Sequence, residues 1–192
     1  GADVVLFHEE LLVGYTPDLR DMAESVDGPT TRAFQELLQE KNSLIVYGLT
    51  ERDGDDYYIS APVVSASGVV DDYRKTHLWW AAEGLRHEPT FYRPGERLVV
   101  VEHQEHRVGI MICYDSEFPE IGRRLCDQGA RILFVPFNTD TRHGYLRVRY
   151  CCQARAIENQ CYVVMSGNVG NLPNVGNMDI QYASSRSTPR GG

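Results

Sequence analysis

The alternation of apolar and polar segments along the chain predicts a layered protein in which short strands alternate with helices. Apolar runs bounded by turn residues predict strands over residues 2–7, 43–50, 57–64, 69–73, 98–102, 107–112, 131–136 and 161–165. Apolar residues at helical spacing predict helices after residue 28 and over residues 117–128 and 144–159. This order is typical of α/β proteins, and a turn at Ser67-Gly68 adds antiparallel character in the middle.

The stretch over residues 108–120 predicts a buried strand that turns directly into a helix. Val108, Ile110 and Ile112 share one face of an almost continuous apolar run, which is typical of a strand covered on both faces. Cys113 lies at the junction, where free backbone N–H groups and the helix dipole favour a thiolate and an oxyanion. We therefore consider Cys113 a candidate nucleophile. The alternative is a structural thiol, because free cysteine is among the most buried residue types.

Composition restricts the class of protein. A chain of 192 residues predicts one domain, which we place at residues 1–183, followed by a polar tail at residues 184–192. The net charge of −8, without a basic patch, argues against nucleic-acid and anionic-membrane partners, and no apolar run has the length of a membrane span. The five cysteines are odd in number and lack Cys-x-x-Cys spacing. They predict a reducing, cytoplasmic location and argue against a disulfide framework or a zinc site.

Three reactive residue types stand at the ends of predicted strands, namely Glu9, Lys75 and Cys113. In open α/β sheets, functional sites gather at the C-terminal ends of strands. A cysteine nucleophile needs a base, a group that stabilises the oxyanion and a wall that excludes water. Glu9, Lys75 and the aromatic-rich connection over residues 76–97 suit these three roles. The residues alone leave open a Cys–His pair, for which the nearby histidines are His8, His77 and His87.

Three separated segments resemble, in order, the motifs of the nitrilase, or carbon–nitrogen hydrolase, superfamily. They are residues 7–15 (FHEELLVGY), residues 73–78 (YRKTHL) and residues 109–120, which begin GIMICYD and end FPE. Glu88, shortly before Pro94-Gly95, and residues 155–159 add weaker matches. The resemblance covers about residues 2–182, and three motifs in order are far more specific than any one alone.

The resemblance implies a four-layer αββα sandwich, here without recognisable versions of the family's first strand and helix or of its C-terminal part. It also assigns catalytic roles position by position: Cys113 as nucleophile, Glu9 as general base, Lys75 as oxyanion stabiliser, Glu88 as a supporting carboxylate and the Tyr114 backbone N–H as second oxyanion donor. On this basis we expect no metal and no organic cofactor.

The first motif departs from the family pattern at His8, where the family usually has proline. The departure leaves a choice between Glu9 and Glu10 as the base. Strand alternation favours Glu9, because a strand that continued from Phe7 would place Glu9 on the same face.

The implied reaction is hydrolysis of a small-molecule amide or N-carbamoyl amine through a thioester, with a nitrile as the less favoured substrate. One alternative is an acyltransferase, or the amidase half of an amidotransferase, that passes the same thioester to an amine. The other is a non-catalytic scaffold of the same fold. Family members commonly associate through helices beside the nucleophile strand, so we expect a homodimer or higher oligomer with residues 117–128 and 144–159 at the interface.

Four residues are candidates for substrate binding. Trp79 and Tyr92 belong to the long aromatic connection, and for the pair Trp79-Trp80 the alternative is a packing role. Asn138 and Arg142 follow the strand over residues 131–136, where the alternative is that they cap the next helix. The planar guanidinium of Arg142 matches a substrate carboxylate bidentately.

Overall fold

The computed structural model describes residues 1–12, 14–15, 19–80, 88–139 and 141–170, and the predicted polar tail at 184–192 lies outside them. The strands are β1 (Val4–Leu6), β2 (Leu44–Val46), β3 (Leu49–Asp53), β4 (Asp56–Ser65), β5 (Gly68–Arg74), β6 (Val100–His103), β7 (His106–Ile110), β8 (Ile132–Phe137) and β9 (Tyr162–Gly167). The α-helices are α1 (Pro29–Leu37), α2 (Pro119–Asp127) and α3 (Arg142–Asn159), and short 3-10 helices span Glu88–Thr90 and Cys113–Glu117. No helix in these ranges is both long and apolar enough to cross a membrane.

The first sheet contains β1 to β5. Strand β1 pairs in parallel with β2, while β2 and β3 follow one another along the same edge of β4 in antiparallel register. Strand β5 pairs antiparallel with the other edge of β4. Strands β1 and β5 therefore run in the same direction, and the residues that follow them emerge at the same edge of the sheet.

The second sheet has the order β6-β7-β8-β9. Strands β6 and β7 form an antiparallel pair, and β8 and β9 continue the sheet in parallel with β7. The C-terminal ends of β7 and β8 consequently lie side by side. These ends lead to the 3-10 helix at Cys113–Glu117 and to the loop that precedes α3.

The two sheets pack face to face through one apolar core. Buried side chains from both sheets meet there, including Val46, Ile59, Val63, Val101, Val108, Ile110, Leu133 and Val135. Helix α1 covers the outer face of the first sheet, where Phe34 packs against Phe7 and Tyr47. Helices α2 and α3 contact each other and the second sheet on its outer side. The four layers confirm the predicted αββα sandwich.

The strand predicted over residues 43–50 is divided in the structure. Strands β2 and β3 pair with β4 in one continuous register, but Tyr47 and Gly48, which lie between them, do not pair with β4. Pro62 lies on the facing part of β4 and has no N–H to donate to a ladder. Gly48 instead donates to the carbonyl of His8 at 3.0 Å and accepts from the N–H of Leu11 at 3.0 Å. These two hydrogen bonds of Gly48 therefore fix the turn that follows β1.

We expect Gly48→Ala to destabilise the protein strongly. A Cβ atom at this position would lie 2.2 Å from the backbone nitrogen of Glu10 and 2.5 Å from the carbonyl oxygen of His8. Overpacking against backbone atoms should lower the free energy of unfolding by about 3 kcal/mol in urea denaturation. Gly54→Ala is a matched control, because that glycine also needs adjustment (φ +62°) but has open space around it. It should lose about 1 kcal/mol. An equal loss in both variants would contradict the clamp at Gly48.

Candidate active site

The candidate site lies where strand ends from both sheets meet. Glu9 follows β1 and Lys75 follows β5, while Cys113 follows β7 and Asn138 follows β8. The ammonium nitrogen of Lys75 donates to Glu9 Oε1 at 2.8 Å and to Glu88 Oε1 at 2.9 Å. The structure thus brings the predicted base, the predicted cation and the supporting carboxylate into direct contact.

Lys75 carries its charge inside the protein, with only 1% of its surface exposed. Burial by itself lowers the pKa of Lys75, but the carboxylates of Glu88 and Glu9 outweigh burial and hold that pKa well above its usual value. The side chain is therefore an ammonium at neutral pH. A buried ammonium is stable only with close anionic partners, which explains why the two carboxylates lie against it.

Glu9 is held between the two sheets. Its Oε1 accepts from Lys75 on the first sheet, and its Oε2 accepts from the backbone N–H of Asn138 at 3.0 Å on the second sheet. The carbonyl oxygen of Asn138 in turn accepts a weak bond from Cys113 Sγ at 3.7 Å. The backbone of Asn138 therefore contacts both side chains, Glu9 through its N–H and Cys113 through its carbonyl oxygen.

Cys113 begins the 3-10 helix with a left-handed backbone, at φ +45°. Non-glycine residues seldom adopt this conformation, and where they do it is often at a functional turn. Burial, and then the nearby charge of Glu9, raise the pKa of the Cys113 thiol well above its usual value, with Lys75 opposing them. The expectation that the helix start favours a thiolate is wrong for the resting site, because desolvation dominates. Cys113 rests as a thiol and needs a base to react.

The structure brings Glu9, and not Glu10, to Lys75, but for a different reason than strand alternation. Strand β1 ends at Leu6, and both glutamates lie in the turn beyond it, each only 1% exposed. Glu10 has a left-handed backbone (φ +54°), and its carboxyl group accepts a hydrogen bond from the Thr50 hydroxyl. The turn, clamped by Gly48, thus sends two neighbouring carboxyl groups to different partners.

Glu88 is the second carboxylate on Lys75 and is itself well supported. Its Oε1 also accepts from the Tyr15 hydroxyl at 3.1 Å, and its Oε2 accepts from the Trp79 backbone N–H at 2.6 Å. Burial raises the pKa of Glu88, and Lys75 opposes that effect. Trp79 therefore contributes its backbone N–H to the site. Tyr92 is buried in the core, where burial and the nearby Glu10 raise the pKa of its hydroxyl.

Asp115 ties the nucleophile to the segment that carries Lys75, which the sequence did not predict. Its Oδ2 accepts from the Tyr73 hydroxyl at 2.8 Å and from the Ile112 backbone N–H at 2.9 Å. Its Oδ1 accepts from the Thr76 hydroxyl at 3.0 Å and from the His77 backbone N–H at 2.9 Å. The acidic residue two positions after a candidate nucleophile was the available signal.

The other predicted substrate residues occupy different surroundings. Asn138 is 7% exposed, and within the described ranges its side-chain amide has no hydrogen-bond partner. Arg142 is exposed as the first residue of α3. The residue that caps α3 is Thr141, whose hydroxyl accepts from the Gly144 N–H at 3.0 Å, and not Asn138 or Arg142. The capping alternative therefore does not account for Asn138.

The histidines considered as partners of Cys113 have other contacts. His8 Nδ1 lies 2.8 Å from the carbonyl oxygen of Glu9, and His77 stacks on Phe118 while its Nδ1 lies 3.0 Å from the Thr76 hydroxyl. His87 lies outside the described residues. No group of three or more potential metal ligands occurs in the described ranges.

A model of the carbon–nitrogen hydrolase family matches residues 1–188. The chain is 42% identical over 160 residues to the probable hydrolase YhcX of Bacillus subtilis, covering 79% of this chain and 29% of that protein. It is 33% identical over 170 residues to an (R)-stereoselective amidase of Pseudomonas sp, covering 88% of this chain and 60% of that protein.

The fold is similar to that of Saccharomyces cerevisiae Nit3, a member of branch 10 of the nitrilase superfamily. The TM-score is 0.80 at 23% identity, over 93% of this chain and 71% of the Nit3 chain. These matches confirm the predicted superfamily and fold. The chain spans well under two thirds of the length of the two curated relatives, at 29% and 60%.

We expect Asp115→Asn to destabilise the protein more than Tyr73→Phe does. The asparagine side chain has one acceptor oxygen in place of two, so its NH2 group must face either the Ile112 N–H or the His77 N–H. That buried donor is left unpaired, which should lower the free energy of unfolding by about 3 kcal/mol. Removing the Tyr73 hydroxyl takes away its bond to Asp115 and a longer one, of 3.2 Å, with the Thr76 hydroxyl, and should cost about 1 kcal/mol. Urea denaturation followed by circular dichroism measures both. A smaller loss for Asp115→Asn than for Tyr73→Phe would show that Asp115 does not hold these segments together.

Proposed function

The chain belongs to the carbon–nitrogen hydrolase family, and we propose that it hydrolyses a non-peptide C–N bond with Cys113 as nucleophile. The observation that carries the proposal is the buried ammonium of Lys75, which contacts both Glu9 and Glu88 beside the Cys113 turn. A fixed cation next to a buried thiol and a carboxylate supplies the oxyanion stabiliser and the base that thioester chemistry requires.

In the first half of the reaction, Glu9 removes the proton of the Cys113 thiol as sulfur attacks the substrate carbonyl carbon. Because Cys113 rests as a thiol, proton removal and attack belong to the same step. The negative oxygen of the tetrahedral intermediate is held by the ammonium of Lys75 and the backbone N–H of Tyr114. That N–H lies in the first turn of the 3-10 helix, where it needs no intrahelical acceptor.

The intermediate then expels its nitrogen group. The C–N bond breaks, the leaving nitrogen takes the proton held by Glu9, and ammonia or an amine departs from a Cys113 thioester. A water molecule next gives a proton to Glu9 and attacks the thioester. Collapse of the second oxyanion breaks the C–S bond, releases a carboxylic acid and returns the proton to sulfur. Side-chain and backbone groups perform each step, so the proposal calls for no metal or organic cofactor.

We propose an amide or an N-carbamoyl amine as the substrate, since both present the carbonyl oxygen that becomes the oxyanion. The amidase among the curated relatives supports this class. The side-chain amide of Asn138 has no hydrogen-bond partner among the described residues, and the carbonyl oxygen of the same residue contacts Cys113. A free amide group beside Cys113 is complementary to a substrate amide. Trp79 and Tyr92 remain candidates for the apolar wall of the substrate site.

We assign Arg142 to a substrate carboxylate. The guanidinium is exposed at the start of α3, four residues beyond Asn138. Replacement by alanine should raise KM for acidic substrates and leave neutral ones unchanged. An unchanged KM for every acidic substrate would end this assignment.

We also propose that the protein is a homo-oligomer of the cytoplasm that associates through α2 and α3. Helix α3 exposes two large side chains, Tyr150 and Ile157, that an interface would cover. All five cysteines are free, which suits a reducing compartment.

The direct test measures ammonia release over a panel of small amides, N-carbamoyl amines and nitriles. We expect the wild-type protein to release ammonia from at least one amide or carbamoyl compound. Cys113→Ala and Glu9→Gln should each reduce kcat at least 1,000-fold, on the order of the effect of losing a nucleophile or its base. Folding of both variants, checked by circular dichroism, should be unaffected.

Three results would redirect the proposal. Near-normal turnover by Glu9→Gln would assign the base to another group. A product amide formed from an added amine, in place of free acid, would indicate acyl transfer from the same thioester. Release from no compound would favour a non-catalytic member of the family.

A further inference from the structure

Glu10 is a third buried carboxyl group beside the cluster that the proposed mechanism uses. Its side chain is 1% exposed and belongs to the turn clamped against Gly48, so it has no free path to solvent. Its Oε2 accepts from the Thr50 hydroxyl, whereas within the described ranges its Oε1 has no hydrogen-bond partner. A buried carboxyl group with one neutral partner is poorly placed to carry a charge.

The charges around Glu10 make its ionisation still less favourable. The titratable groups that face it are Glu9 from the same turn, Glu88 from the 3-10 helix, Lys75 after β5, and the hydroxyls of Tyr15 and Tyr92. The single ammonium of Lys75 already serves two carboxylates. Three ionised carboxylates around one buried cation would leave two uncompensated negative charges.

We propose that Glu10 is a positioning residue that keeps the catalytic cluster in its working arrangement only while its own carboxyl group carries a proton. The inference rests on the proposed function. An ionised Glu10 would compete with Glu9 and Glu88 for Lys75 and would oppose the negative oxyanion that forms at Cys113. Loss of the Glu10 proton therefore switches the site off reversibly at alkaline pH.

The electrostatic surroundings agree with the geometry. Burial, with Glu9 and Glu88 adding to it, raises the pKa of Glu10 to about 8, although the Thr50 hydroxyl opposes the change. The folded protein therefore binds one more proton than the unfolded chain between pH 4.5 and about pH 8. The protonated Glu10 therefore adds to the free energy of unfolding in full below pH 4.5, and this contribution is lost as pH rises from 4.5 to about 8.

The test compares the pH dependence of kcat/KM in wild type, Glu10→Gln and Thr50→Val. Glutamine imitates the protonated acid, so Glu10→Gln should keep its neutral-pH turnover and lose the alkaline fall centred near pH 8. Thr50→Val removes the hydroxyl that favours ionisation and should move that fall to higher pH. Glu105→Gln, on an exposed turn, is the matched control and should leave the profile unchanged.

A Glu10→Gln protein that keeps the wild-type alkaline fall would overturn the inference, as would a folded but inactive one at pH 7. If Glu10→Gln does not fold, an unshifted fall in Thr50→Val overturns it. If the wild type turns over no amide, the rate at which iodoacetamide alkylates Cys113 is measured in place of turnover. Its pH profile should then move to lower pH in Glu10→Gln, because one negative charge near the thiolate is gone, and an unchanged profile contradicts the role of Glu10.

Discussion

The ion pairing of one buried lysine with two buried carboxylates is the interaction on which the rest of the site depends. Lys75 lies 2.8 Å from Glu9 and 2.9 Å from Glu88, and none of the three has appreciable access to water. Removing Lys75 would leave two carboxylates without a cation in the interior, and breaking a buried ion pair in this way typically costs about 3–5 kcal/mol, on the order of a small domain's total stability. Neutralising Glu9 alone would leave the balanced pair of Lys75 and Glu88 in place.

The remaining contacts complete the coordination of these charges and join the two sheets. The second oxygen of Glu9 accepts from the Asn138 N–H, and Glu88 accepts from Tyr15 and Trp79. Asp115 accepts from the Ile112 N–H within the turn at Cys113, and from Tyr73 in β5 and Thr76 and His77 after it, so it connects that turn to β5 and the segment beyond. Polar groups at the edges of the sheet-to-sheet core thus fix how Cys113 is placed relative to Lys75. An apolar core alone would not specify this relative placement, because apolar packing is far less directional than hydrogen bonding.

The parts of this architecture that sequence predicts are those encoded by local pattern. The apolar run before Cys113 identified its strand, and matching motifs around Glu9 and Lys75 placed both at strand ends. Strand alternation is not what separates Glu9 from Glu10, because β1 ends at Leu6 and a clamped turn brings Glu9 to Lys75 and Glu10 to Thr50.

Other features depend on groups that come together only in the folded chain. The break between β2 and β3 follows from Pro62 on a neighbouring strand, and the Asp115 bonds join residues about 40 positions apart. The Asn138 contacts use peptide groups, which every residue has and no motif reveals. The raised pKa of Cys113 arises from burial by several elements, so a helix start considered alone gave the opposite sign.

Selective labelling of Cys113 by fluoroacetamide tests the central claim most directly. Fluoroacetamide is a small amide that reacts slowly with ordinary thiols, so rapid labelling reports a sulfur activated within an amide-binding site. We expect intact-protein and peptide mass spectrometry to find one acetamide group on Cys113 and none on the other four cysteines. Labelling of Cys113 no faster than that of Cys151 or Cys161 would show that the buried cluster does not activate this cysteine.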